Sequence, residues 1–138
     1  MEDYEKFKIK SYDLWDLFLS TNQSPYLGRC YAWARRVDAK KITDMNPLER
    51  EELFEVIIPS WDEAINKLFQ HDWVNIAILG NETPHLHAHQ IPRYNSPRNF
   101  EGIEFVDPNP GGNYAPYLKR KLDETLLLKI KTKICETL

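Results

Sequence analysis

The chain has 138 residues, 42% of them hydrophobic and 28% charged, with a formal net charge of −3, which describes an ordinary globular protein forming one domain over residues 1–138. A slightly acidic chain has no basic field for nucleic acid, so any phosphate it binds must be held by a local site. No apolar run is long enough for a membrane span or signal peptide, and Cys30 and Cys135 form neither a CxxC pair nor a disulfide framework, so a cytoplasmic protein is expected.

In chain order, the charged residues 1–10 read as frayed or peripheral. Leu14, Trp15, Leu17, Phe18 and Leu19 form a dense apolar run that ends in the polar, proline-bearing cluster 20–25, a turn signal. Residues 26–34, rich in aromatic and small side chains, read as a second strand, so the two runs predict an antiparallel hairpin; a helix over 12–19 is the other reading of the first run. Asn46, Pro47 and Glu49 carry a capping-box signature for a helix start. Phe54, Ile57, Ile58, Trp61, Ile65 and Leu68 then recur at helical spacing, with Pro59 expected to kink or divide the helix. Residues 73–79 form a β-branched strand candidate, and the polar connection 80–84 leads directly into the next element. Residues 95–116 hold four of the nine prolines and read as a long, mostly irregular segment. Leu118, Leu122, Leu126, Ile130 and Ile134 predict a C-terminal amphipathic helix.

The most informative stretch is His85-Leu86-His87-Ala88-His89-Gln90-Ile91-Pro92-Arg93, which places three of the four histidines at strict alternation. A strand sends alternate side chains to one face, so the three imidazoles are expected together, with Leu86 and Ala88 turned into the core. Co-facial imidazoles suit several chemistries. As metal ligands they need a further donor, for which Glu82 and His71 are the candidates on offer. In phosphoryl chemistry one ring attacks phosphorus while neighbours fix its tautomer and stabilise phosphate charge; Asn81 and Thr83 stand where neutral donors are needed. A histidine cluster without chemistry is the third reading.

The same stretch resembles the motif of the histidine-triad family, His-φ-His-φ-His-φ-φ with φ apolar, and Pro92-Arg93 continues it. Residues 28–36 resemble the family strand after the nucleotide-contacting turn. Residues 75–84 resemble the strand and connection before the triad in the diadenosine-polyphosphate-hydrolase-like bacterial members. The resemblance implies an α+β fold with a central antiparallel sheet, one long helix between strands and a C-terminal helix, and a homodimer. It also implies cleavage of a nucleotide phosphoanhydride or phosphoramidate at the α-phosphate through a nucleotidyl-histidine on His87. In that reading His85 buttresses the site and sets the tautomer, and His89 takes part in leaving-group protonation. Asn22 matches the family's ribose contact, and Asn81 and Thr83 its phosphate contacts. No cofactor is required, though magnesium can arrive with the substrate. The competing expectations are a metal-binding protein or metal-dependent enzyme using the histidines as ligands, and a nucleotide-binding protein without catalysis.

Three positions depart from the family pattern. Val37 stands where a histidine often closes the early strand, Gln90 replaces an apolar residue after the third histidine, and Arg29 replaces a histidine after Gly28. From sequence, Gln90 is expected to face solvent or a polar partner. Arg35, Arg36 and Arg93 are candidate phosphate contacts weighed against ordinary solvated arginines.

Overall fold

The computed structural model describes residues 4–138. An α+β architecture is built on a five-stranded antiparallel sheet of β1 (Lys8–Ser11), β2 (Trp15–Leu19), β3 (Cys30–Ala34), β4 (Trp73–Ala77) and β5 (His87–Arg93), in the spatial order β1-β2-β3-β5-β4. The expected antiparallel pairing of the first two apolar runs is present, and the strand candidate after the helix pairs antiparallel with the histidine strand. Of the two readings of residues 1–10, peripheral holds from residue 4 onward and frayed does not: β1 is an edge strand paired with β2, and Phe7 before it is buried in the core; residues 1–3 lie outside the described residues.

β3 and β4 are joined by one helical segment comprising α1 (Pro47–Glu51), a π-helical stretch over Glu52–Ile57 and α2 (Ile58–Phe69). The start is capped as the sequence predicts: Glu49 N–H donates to Asn46 Oδ1 at 2.8 Å and Asn46 N–H to Glu49 Oε1 at 2.9 Å. Pro59 does not divide the helix. The wide turns before it are closed by Ile58 N–H on the Leu53 carbonyl, and Ser60 Oγ donates to the Val56 carbonyl at 2.6 Å, so the missing proline N–H is absorbed within the π-helical stretch. That insertion also rotates the apolar stripe. Leu53, Ile57, Trp61, Ile65 and Phe69 are the buried row, whereas Phe54, expected in the core, is 45% exposed.

This row shares one core with the inward side chains Cys30, Ala32, Ala34, Leu86 and Ala88. The start of β3 passes directly against α2. Gly28 lies at φ +95°, and a Cβ there would stand 2.9 Å from Ile65 Cδ1; Trp61 Nε1 donates to the Gly28 carbonyl at 3.2 Å. Only glycine gives β3 both the turn and the approach.

Residues 95–116 are mostly irregular, as expected, apart from a hairpin of β6 (Arg98–Phe100) and β7 (Ile103–Phe105). The C-terminal helix α3 (Glu124–Thr137) is capped by Asp123 and buries Leu126, Leu127, Ile130 and Ile134. Leu118 precedes the helix and is 91% exposed, so it is no part of the stripe. Among the described residues no helix is long and apolar enough to cross a membrane.

Gln90 corrects another expectation. It alternates with Leu86 and Ala88 on the core face, is fully buried, and neither amide atom meets a partner among the described residues. An unpaired buried amide costs more than it returns. Gln90→Met, which keeps the volume, is expected to stabilise the protein by about 1–3 kcal/mol. A urea midpoint that stays or falls would refute this.

Candidate active site

The sheet has a second face, and its composition follows from strand alternation. With Cys30, Ala32 and Ala34 committed to the core, Tyr31 and Trp33 turn outward, and the β3–β5 register sets Trp33 opposite His87 and Tyr31 opposite His89. Phe18 of β2 lies opposite Tyr31 and stacks on it, with centroids 5.2 Å apart. His85 precedes the strand proper but joins the same group, since its ring stacks on Trp33 at 4.2 Å; the Trp33 ring also meets His87 at 5.5 Å. The expected gathering of the three imidazoles on one face is therefore observed, with Leu86 and Ala88 buried behind them.

The hydrogen bonds give the three rings different protonation patterns. A carbonyl only accepts, so His87 Nδ1, 2.6 Å from the His85 carbonyl, carries a proton, and the neutral ring keeps its lone pair on Nε2. By the same logic His85 Nε2 donates to the Ala34 carbonyl at 2.6 Å. The backbone of His85, rather than its imidazole, thus sets the His87 tautomer, while the imidazole ties the start of β5 to the end of β3. His89 Nδ1 faces Arg29 Nη2 at 3.4 Å; a guanidinium only donates, so this nitrogen accepts and Nε2 carries the His89 proton. The His87 and His89 rings meet edge-on at 4.9 Å.

His87 and His89 open into a cavity of about 510 Å³ whose lining includes Ser20, Thr21, Asn22, Phe18, Tyr31 and Trp33, a size suited to a small organic ligand. Of the residues proposed from sequence, the fold brings Asn22 and Thr83 into this cavity with the two histidines, and leaves His85 behind Trp33. Asn81 is exposed in the connection before β5 and does not line the cavity; Glu82 does. The connection curls back so that His85 N–H bonds to the Thr83 carbonyl at 2.8 Å, and this curl points residues 82–83, not 81, at the site.

Arg29 joins the site in a way the sequence did not specify. It is 5% exposed and lines the cavity; Nη1 donates to Tyr117 Oη at 2.7 Å, and the guanidinium lies 5.6 and 5.7 Å from the Tyr114 and Tyr117 rings. Its backbone is fixed by the buried Gln23, whose Nε2 donates to the carbonyls of Ser20 and Arg29 and whose Oε1 accepts from Gly28 N–H. Burial, then the Arg29 charge, then His87 lower the His89 pKa to about 4. His89 is therefore neutral at physiological pH.

The other sequence candidates lie elsewhere. Arg36 pairs with Glu49, Arg35 caps backbone carbonyls near Tyr12, and Arg93 is buried against Asp107. His71 bonds Asp62 at 2.5 Å, away from the cavity. Among the described residues no group of three or more His, Cys, Asp or Glu side chains is placed to hold a metal ion. Tyr31 and Trp33 are not singled out from sequence, although the alternation of small and aromatic residues over 30–34 marks them, and Phe18 appears there only as part of the first apolar run. Tyr114 and Tyr117 had no local signal, because only the tertiary path of residues 106–122 brings them to Arg29.

An outward histidine row on β5, an antiparallel sheet and a helical crossover from β3 to β4 together define the histidine-triad fold. Comparison with solved structures agrees. A histidine triad protein from Bradyrhizobium japonicum superposes with a TM-score of 0.72 at 22% identity, covering 94% of this chain and 88% of that one. One from Sinorhizobium meliloti gives 0.73 at 22% identity over 96% and 89%. A hypothetical histidine triad nucleotide-binding protein from Sulfolobus tokodaii gives 0.65 at 14% identity over 95% and 82%. No family model matches the sequence, and no curated protein matches it significantly.

Proposed function

We propose that this protein is a histidine-triad nucleotide hydrolase or transferase that works through a covalent nucleotidyl intermediate on His87. The observation that carries the reading is the tautomer: Nδ1–H is held by the His85 carbonyl at 2.6 Å, which leaves the Nε2 lone pair for the cavity. The Nε2 lone pair attacks the α-phosphorus of a nucleotide. A P–N bond forms, the bridging P–O (or P–N) bond breaks, and the leaving group departs with its electron pair. Water then attacks the same phosphorus, breaking the P–N bond and returning Nε2 while the nucleoside monophosphate leaves. The imidazolium character that develops on His87 in the first step is stabilised through its Nδ1–H by the carbonyl. Asn22 is assigned to the ribose hydroxyls and Thr83 to a phosphate oxygen, both lining the same cavity; Asn81 is near enough in sequence to contribute only if the connection moves. The Sulfolobus neighbour's description as nucleotide-binding supports the same substrate class. Magnesium enters as part of a polyphosphate substrate, and a cytoplasmic homodimer completes the proposal.

Rapid quenching with a dinucleoside polyphosphate tests it. The intact protein is expected to gain the mass of one nucleotidyl group, mapped to the peptide bearing His87. Turnover with no adduct at any quench time, or turnover lost on chelation together with a stoichiometric transition metal, would overturn it.

A further inference from the structure

We infer that Arg29 is an anion-binding residue of this site, built to hold a phosphate oxygen of the leaving group, so that the preferred substrate is a phosphoanhydride with an anionic leaving group rather than a phosphoramidate. The inference rests on the proposed nucleotidyl chemistry for its substrate, but its binding half stands on Arg29 alone.

Arginine is charged at every ordinary pH, and a charge removed from water is normally paired. Arg29 is 5% exposed, yet among the described residues no carboxylate stands within ion-pair distance of it. Its contacts are neutral: a tyrosine hydroxyl, a histidine nitrogen and two aromatic rings, and its Nε–H is buried without a partner. Glu82 lines the same cavity but is exposed and makes no ion pair with it. Among the described residues the guanidinium is thus desolvated and uncompensated, and it faces the cavity into which His87 and His89 point. Such a cation is completed by an anion from outside.

Its place in the row identifies which anion. Arg29, Tyr31 and Trp33 alternate along one strand direction, so Arg29 lies beyond His89 from His87, on the side away from Trp33 and His85. A nucleotidyl group on His87 Nε2 leaves this end of the cavity for the departing group. Two features there suit a phosphate and not an amine. The guanidinium neutralises the negative charge that a phosphate leaving group keeps, with no proton required. An amine must instead be protonated as it leaves, and His89, neutral at physiological pH, is a poor acid for that task.

The test separates binding from turnover. Wild-type protein is expected to bind inorganic tripolyphosphate by calorimetry, with Arg29→Gln weakening that binding about 10- to 100-fold and Arg29→Lys recovering part of it. On two substrates sharing one nucleotidyl group, Arg29→Gln should lower kcat/KM by a similar factor for the dinucleoside polyphosphate and by less than about threefold for the phosphoramidate. Equal losses on both, or undiminished tripolyphosphate binding by a folded variant, would overturn the inference. Should the glutamine variant not fold, the wild-type Arg29 Nε–H resonance decides: it shifts on addition of tripolyphosphate if Arg29 binds it and stays fixed if not. Wild-type turnover of neither substrate would refute the proposed reaction while leaving the tripolyphosphate measurement to judge Arg29.

Discussion

Replacing His87 with alanine is expected to lower kcat/KM for a dinucleoside polyphosphate by on the order of 10⁴-fold or more, and to remove the nucleotidyl adduct. The same change should alter nucleoside monophosphate affinity by no more than about threefold, since the nucleophile's bond to phosphorus is made only on the way to the transition state. The fold is expected to survive, because His87 turns away from the core and its ring is replaced by a smaller side chain facing a cavity. What is lost is one lone pair in one direction. The His85 carbonyl that aims it is backbone and remains in place. Steady-state kinetics with equilibrium dialysis of the monophosphate decides the matter. Turnover within tenfold of wild type would move the nucleophile elsewhere, and a parallel loss of affinity would make His87 a binding residue.

The histidine row, the capping box and the strand pairings were legible in the sequence because each is a local rule: alternation for a strand, three-residue reciprocity for a helix start, hydrophobic runs broken by turn residues. The site was only half legible. His87 and His89 follow from alternation, but the tautomer of His87 is set by a carbonyl, and backbone hydrogen bonds have no residue signature. Asn81 and Thr83 look equivalent as polar turn residues, yet the curl that bonds His85 N–H to the Thr83 carbonyl turns residues 82–83 inward and leaves 81 in solvent.

Other misreadings share a cause. Helical periodicity assumes 3.6 residues per turn, and the π-helical stretch over Glu52–Ile57 breaks that assumption, which is why Phe54 gives way to Leu53. Arginines carry no label for their surroundings. Arg35, Arg36 and Arg93 are phosphate candidates or solvated charges from sequence, but among the described residues the buried arginine without a carboxylate partner is Arg29, placed by Gly28 and Gln23 and walled by tyrosines 85 or more residues later in the chain. Burial of a charge is a tertiary fact, and so is its lack of a partner.

Arg93 is the opposite case, and its loss is expected to destabilise the protein by about 3–5 kcal/mol. Its side chain is 2% exposed and that of Asp107 fully buried; Nε and Nη2 grip the two carboxylate oxygens at 2.7 and 3.0 Å. The remaining donors reach Asn75 Oδ1 at 2.8 Å and the carbonyls of Gly112 and Asn109 at 2.7 and 2.6 Å. One guanidinium therefore ties β5, β4 and the segment after β7 together. Arg93→Met keeps much of the volume but strands a carboxylate and two carbonyls in the interior. Burial alone raises the Asp107 pKa, yet the Arg93 hydrogen bonds and the N–H groups of Asn109 and Tyr94 outweigh it and hold the value below the ordinary carboxylate range. A depressed folded-state pKa contributes stability above the unfolded value of about 3.9, and that stability is lost as pH falls through the folded one. In Arg93→Met only the N–H groups of Asn109 and Tyr94 remain to oppose burial, so protonating Asp107 relieves the variant in acid. The gap between wild type and variant, read from urea midpoints, should accordingly narrow progressively as pH falls from neutral into the acid range. A gap under about 1 kcal/mol at neutral pH, the level of an exposed pair, or one that does not change with pH, would show that Arg93 packs without compensating Asp107.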